Sequence, residues 1–257
     1  MKILGTGLIC ARGRSQEAAC AEWQLPDFID VPFQKEPFPV YAVSAATLTD
    51  KAVLGGMRRA DRFSKMATLA AHDAVAASGL NLKDSERTGI IFATAFGPHN
   101  TTFRFQDDII DYGDAGVSPT IFSNSVHNAA VSYISLALGI KGPTWTNTGF
   151  CDPFEQAVVL AQAWLAEGRC DTILLGGGDE LGTVMEYICS KKLLIAADGK
   201  VRINHPPAYV PGEGAAFFLL NKATDGIQLD LSSKTQAKRF GNMLSGRALD
   251  CAVQALK

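Results

Sequence analysis

Residues 142–180, GPTWTNTGFCDPFEQAVVLAQAWLAEGRCDTILLGGGDE, set a strand, a sharp loop, a long helix and a second strand end to end with no padding. Thr144 to Thr148 is β-compatible and Gly149 permits a tight turn. Cys151 therefore stands at the mouth of a helix that Asp152 is placed to cap and Pro153 to open. From 153 to about 167 only Glu155, Gln156 and Gln162 interrupt an apolar run, so this helix is expected to be largely buried. Its first turn aims unpaired backbone N–H groups at the preceding thiol, a field that favours thiolate and an adjacent oxyanion. Position alone leaves two readings of Cys151 open, a nucleophile or an inert packed cysteine.

The rest of the chain arranges itself around that stretch. Residues 2–10 read as a buried strand interrupted at Gly5 and Gly7, with Cys10 as packing. The proline-rich segment that follows, to residue 54, reads as excursion and surface loop. Met66, Leu69, Ala70, Ala74 and Ala77 recur at helical spacing before Gly79, which predicts an amphipathic helix with His72 as a packed or solvated residue. Residues 88–94, TGIIFAT, predict a strand buried on both faces, ending in a small-residue loop at 95–98. A helix carrying Phe103, Phe105, Ile109 and Ile110 follows. Its aromatic residues suit either plain core or the wall of a cavity for a long apolar ligand.

Residues 124–138 predict one helix closed by Gly139, with Ala129, Ala130 and Ser132 permitting close approach of another backbone. His127 and Asn128 are expected to be buried polar groups holding a neighbouring loop, with a catalytic role as the other reading. A strand over 171–175 closes on the triple glycine 176–178, which lacks the Lys-Ser/Thr of a phosphate loop. Helix over 184–196, a strong strand within 210–220, one further strand at 227–231 and a short helix at 247–256 complete the reading. His99 shows no identifiable partner, and His205, before Pro206 and Pro207, is placed in extended chain.

With 257 residues, 47% of them hydrophobic, the chain is long enough for a sizeable core, and no disordered linker divides it. The expected organisation is one α/β domain over 1–257, with 221–257 as a reduced C-terminal extension. A net charge of −2 gives no basic footprint for nucleic acid, which leaves small molecules or proteins as partners. The six cysteines fall without C-x-x-C spacing, so neither a disulfide framework nor a metal site is indicated. No stretch approaches the ~18 apolar residues of a membrane span, and a reducing cytoplasm is the expected setting.

Several ordered motifs together resemble the N-terminal half of a β-ketoacyl synthase, of the thiolase-like superfamily. They are MRRADRFSKMATLAAHDAVAASGL, RTGIIFATAFGP, SNSVHNAAVSYISLALGIKGP, the stretch 142–180 and VPGEGAAFFLL, which cover most of 57–220. In that family the nucleophilic cysteine lies eight residues beyond the proline of a Gly-Pro pair, and Gly142-Pro143 puts Cys151 there. The resemblance implies a thiolase-like α/β fold, the N-terminal half of the ketosynthase fold: a mixed sheet with layered helices, its C-terminal half missing or rudimentary.

It also implies a chemistry in which acyl groups arrive on the phosphopantetheine of an acyl carrier protein, with no cofactor bound by the chain itself. A ketosynthase loads such a group onto its cysteine and condenses it with a decarboxylating malonyl thioester. Two histidines of the C-terminal half assist. This chain departs from the family pattern around the nucleophile, with Phe150, Asp152 and Pro153 in place of small residues. An aspartate beside the thiol works against thiolate. The family's shortened relatives include chain length factors, of the kind found with polyene-type type II polyketide systems, which pair with an active ketosynthase in a heterodimer and shape the acyl tunnel. By that resemblance Phe103, Phe105, Phe122, Asn124, His127, Asn128, Tyr133 and Phe150 are expected at the tunnel or the subunit interface. The expected role is a non-catalytic partner subunit; the alternative is an acyltransferase that uses Cys151 as nucleophile.

Overall fold

The structure is a computed structural model and describes residues 1–21, 25–30, 37–192, 210–231 and 246–257. His205, and the end of the helix expected over 184–196, lie outside the described residues. The chain opens with strands β1 (Lys2–Cys10) and β2 (Gly13–Arg14), a short helix α1 (Ser15–Cys20), a small hairpin of β3 (Asp27–Ile29) and β4 (Phe38–Val40), and α2 (Lys51–Leu54). Then come α3 (Arg62–Ser78), β5 (Thr88–Thr94), α4 (His99–Tyr112), α5 (Pro119–Asn124), α6 (Ala129–Leu138), β6 (Thr144–Thr148) and α7 (Pro153–Ala166). The last elements are β7 (Thr172–Asp179), α8 (Thr183–Lys192), β8 (Gly214–Asn221) and α9 (Arg247–Leu256).

Six strands form one mixed sheet in the order β2-β1-β8-β7-β5-β6. β5 runs parallel to both β6 and β7, whereas β8 lies antiparallel between β7 and β1. Successive side chains of a strand point to opposite faces, so each central strand feeds two cores at once. Ile9, Ile90, Phe92, Leu174, Phe217 and Leu219 face the layer of α3 and α6. Leu8, Ile91, Ile173, Leu175, Phe218 and Leu220 face the layer of α7 and α9. This is why β5, β7 and β8 read as unbroken apolar runs.

Gly5 and Gly7 do not interrupt β1. They let α3 lie directly on it, because a Cβ at Gly7 would run into the carbonyl oxygen of Ala70 and one at Gly5 into that of Ala74. The predicted helix over 62–78 is present, capped by Asp61, whose carboxylate accepts from Ser64 N at 2.7 Å, and ended by Gly79 in the left-handed region. Phe63, Met66, Leu69 and Ala70 bury its inner face completely or nearly so.

Five expectations need correction. The helix expected over 124–138 is two helices, α5 and α6, parted by a turn at 125–128. β7 does not stop before the triple glycine but runs through it to Asp179, where the glycines make room for the Phe217 ring and the backbone of Gly214. The excursion before residue 54 also supplies core, since Phe38, Val40, Tyr41 and Val43 are buried. The helix α7 buries Phe154, Ala157, Val158, Ala161, Trp164 and Leu165 yet leaves Val159 64% exposed, so one apolar stripe faces outward. Within 227–231 there is a single bridge, from Gln228 to Lys2, in place of the expected strand.

The contact between β1 and α3 has no spare volume. Gly7→Ala is expected to lower stability by about 2 kcal/mol through overpacking against the α3 backbone, measured by urea denaturation.

Candidate functional site

The parallel strands β5, β6 and β7 end side by side, and in sheets of this kind ligands bind outside the carboxyl ends of the strands. Three loops meet there: 95–98 after β5, 149–152 after β6 and 180–182 after β7. The first is fixed by Asp179, whose Oδ1 accepts from Thr94 Oγ1 at 2.8 Å, Ala95 N at 2.8 Å and Phe96 N at 3.1 Å. The Phe96 ring then meets Phe150 edge-on, with centroids 5.5 Å apart, and so braces the loop that carries Cys151.

Cys151 is exposed, as a nucleophile requires and a packed cysteine does not. Its loop is held from both sides: Gln156 Nε2 donates to the Cys151 carbonyl at 3.0 Å, and Asn147 Nδ2 donates to that of Pro153 at 2.8 Å. Asp152 occupies the N-cap position of α7, but its side chain accepts no N–H of that helix, contrary to expectation. Its backbone sits in the left-handed region with φ 47°, and the carboxylate lies beside the sulfur, with Sγ 3.5 Å from Oδ2. That carboxylate pushes the thiol's pKa up, first by hydrogen bonding and then by charge, so the proximity of Asp152 outweighs the helix terminus.

Behind the loops lies a cluster of buried ionisable groups whose partners sequence reasoning missed. Glu213, at the entry to β8, accepts from Val43 N at 2.8 Å and Leu181 N at 3.1 Å and pairs with Arg62. Glu180 is buried and accepts from Asn100 N at 3.0 Å, pinning the first turn of α4. Burial, followed by repulsion from Asp61, pushes the Glu180 carboxyl up to about 8. His99, buried against Glu180 with Nδ1 3.9 Å from Oε1, has its pKa lowered by burial, and neither ring nitrogen finds a hydrogen-bond partner. The signals were the acidic pair at 179–180 after the glycines and Glu213 between two glycines, but their partners lie far away in the sequence.

The other expected site residues scatter around this centre. Asn124 is buried and donates to the Arg59 carbonyl at 2.6 Å while accepting from Tyr133 Oη at 3.0 Å, so it ties α5, α6 and the start of α3 together. His127 and Asn128 are exposed, not buried polar groups; the turn at 125–128 carries them outward, and the His127 ring lies over Gly97. Phe105 and Phe122 pair with centroids 5.5 Å apart, and Phe103 is partly exposed. They are not plain core: with Ile109, Ile110 and Tyr112 they leave an apolar surface on α4 and α5. Among the described residues no cluster of three or more His, Cys, Asp or Glu side chains could hold a metal ion. No described helix is long and apolar enough to cross a membrane.

A six-stranded mixed sheet between two helical layers, with an exposed cysteine between a parallel strand and the helix that follows it, defines an α/β architecture of the thiolase-like class. The chain belongs to the β-ketoacyl synthase family: residues 40–226 match the model of the beta-ketoacyl synthase N-terminal domain. Nodulation protein E of Rhizobium meliloti is 29% identical over 123 residues, which is 46% of this chain and 30% of that protein. The 3-oxoacyl-[acyl-carrier-protein] synthase 2 of Staphylococcus aureus is 28% identical over 122 residues, 47% of this chain and 30% of the enzyme. The matched part of this chain thus spans under a third of either relative.

Solved structures share the thiolase-like architecture. A β-ketoacyl synthase from Burkholderia phymatum superposes with a TM-score of 0.70 at 19% identity, covering 98% of this chain and 71% of that one. The ishigamide ketosynthase/chain length factor gives 0.67 at 19% identity, covering 90% and 64%. A ketosynthase in complex with its chain length factor from Xenorhabdus doucetiae gives 0.66 at 15% identity, covering 87% and 58%.

The raised Glu180 carboxyl fixes the sign of a pH dependence. The folded state binds this proton more tightly than the unfolded chain does, so the contribution is present at acid pH and is lost as pH rises from about 4.5 to about 8. Glu180→Gln keeps the acceptor for Asn100 N. It is expected to flatten that decline, leaving the variant more stable than the parent at pH 8, as read by urea denaturation across the pH range.

Proposed function

We propose that this chain is a chain-length-factor-like partner subunit of a heterodimeric type II β-ketoacyl-ACP synthase. In this role it shapes the tunnel in which a polyketide or fatty-acid-like polyene chain grows. The observation that carries the reading is the unfinished edge of the sheet. Among the described residues β6 is the last strand of the sheet, bonded to β5 on one side, and no described strand pairs with its other side, which suits it to pairing with another chain. Around that edge Trp145 on β6 is 52% exposed, Leu136 on α6 80%, Phe150 in the cysteine loop 69% and Val159 on α7 64%. An apolar, hydrogen-bonding edge of this kind fits addition of a partner's strand better than exposure to water.

The site supports the same division of labour. Among the described residues the hydrogen-bond partner of the Cys151 sulfur is Asp152 and not a histidine. In this reading the ketosynthase partner supplies the acid-base groups, and an acyl carrier protein brings acyl groups on its phosphopantetheine. The apolar surface of Phe103, Phe105 and Phe122 then lines the tunnel or the interface. Fold relatives that include ketosynthase/chain length factor pairs agree with this assignment. The free described cysteines suit a reducing cytoplasm.

One observation favours a second reading. Cys151 is exposed at a helix N-terminus, which suits an acyltransferase or ketosynthase that uses it for decarboxylative Claisen condensation.

Co-expression with a ketosynthase subunit from the same genome is expected to yield a heterodimer on size-exclusion chromatography. Acyl-carrier thioester should label the ketosynthase's cysteine alone, as read by mass spectrometry; labelling of Cys151 would establish the second reading. Trp145→Asp is expected to cost about 2 kcal/mol of association while leaving the melting temperature of the lone chain unchanged. A chain that transfers acyl groups as a stable monomer would defeat the proposal.

A further inference from the structure

We infer that Asp152, its carboxylate turned onto the sulfur by a left-handed backbone, withholds Cys151 from acyl donors. The inference rests on the reading of the chain as a partner subunit and adds how its own thiol is spared. An aspartate before a helix ordinarily accepts from the first-turn N–H groups. Here it accepts none of them and lies 3.5 Å from Sγ instead. The φ of 47° makes this possible, since Asp is one of the few residues with a side chain that tolerate it.

Every group around the sulfur can be assigned. The uncapped N-terminus of α7 favours thiolate, and Asp152 opposes it at closer range. Glu155, one turn into the helix, adds a weaker negative field, and its own carboxylate is turned to Arg247, with Nε 3.6 Å from Oε1. Asn147 and Gln156 are neutral and spend their amides on the backbone of the loop. Phe96 and Phe150, whose rings meet edge-on, brace the loop and carry no charge. Among the described residues no cationic side chain is among the causes that act on the thiol. With the negative charge of Asp152 removed, the same geometry becomes one that activates a cysteine.

Iodoacetamide reads the reactive form directly: the thiolate attacks the CH2 carbon, a C–S bond forms, the C–I bond breaks and iodide leaves. Wild type, Asp152→Asn and Asp152→Ala are compared at about pH 7.5 by mass spectrometry of the Cys151 peptide, with Cys151→Ala marking background from other cysteines. Both variants are expected to alkylate severalfold faster than wild type. With the octanoyl thioester of N-acetylcysteamine, sulfur attack on the carbonyl breaks the donor C–S bond, and the leaving thiolate takes up the thiol proton. Octanoyl should accumulate on Cys151 in the variants and not in wild type.

Because Asp152 and Cys151 are both exposed, their repulsion is screened by salt. Raising ionic strength from ~0.01 M to ~1 M should speed alkylation of wild type toward that of Asp152→Asn and leave the variant nearly unchanged. This arm needs no substitution that could disturb the loop, and circular dichroism confirms that the variants are folded. Equal rates in wild type and variants, or a wild-type rate indifferent to salt, overturn the inference. Neither result touches the partner-subunit reading, which is decided by assembly with a ketosynthase.

Discussion

The placement of β8 between β1 and β7 holds the molecule together. Its eight residues pair with β1 along one side and with β7 along the other, and its side chains alternate between the two helical layers. Without it β1 would have no place in the sheet, and α3, which lies on Gly5 and Gly7, would lose the floor it rests on. The same strand starts just after Glu213, whose carboxylate gathers Val43, Leu181 and Arg62. One element therefore closes the sheet and also anchors the loops that surround the cysteine.

Those loops depend on carboxylates more than on apolar packing. Asp179 collects the hydroxyl and two backbone N–H groups of the turn after β5, and Glu180 holds the first turn of α4. A buried polar group is tolerated when its hydrogen bonds are met, and these are met by backbone that would otherwise be unpaired. The result is a rigid base beneath an exposed thiol. The α4 helix, by contrast, buries only His99 among its own residues, so it is attached by its start and leaves Ile110 and Tyr112 to solvent.

Much of the fold was legible because burial leaves a strong mark on sequence. Residues 89–93 and 214–220 are apolar or glycine throughout since both faces of those strands are covered, and the period of α3 is plain because one side of it is fully buried. Around Cys151 the helix was legible from its apolar run, and the exposed strand and turn from β-compatible residues and Gly149. What escaped was long-range or conformational. Asp61, His99, Glu180 and Glu213 come from four separate segments, and nothing local announces that they meet. The turn at 125–128 interrupts a pattern that is helical by composition. The left-handed backbone at Asp152 is invisible in a residue type that commonly caps, and helical spacing in α4 and α7 cannot say whether an apolar stripe is covered by this chain.

The register of β1 against β8 bears on how the chain is made. Lys2 pairs with Asn221, so during synthesis β1 must wait for β8, a partner on the order of two hundred residues later. At translation rates of roughly 5–20 residues per second, that is an interval on the order of ten seconds or more. During that time Ile3 and Leu8 lack the strand they pair with. The nascent polypeptide thus carries a sticky β-segment through that interval, a natural client for a holding chaperone.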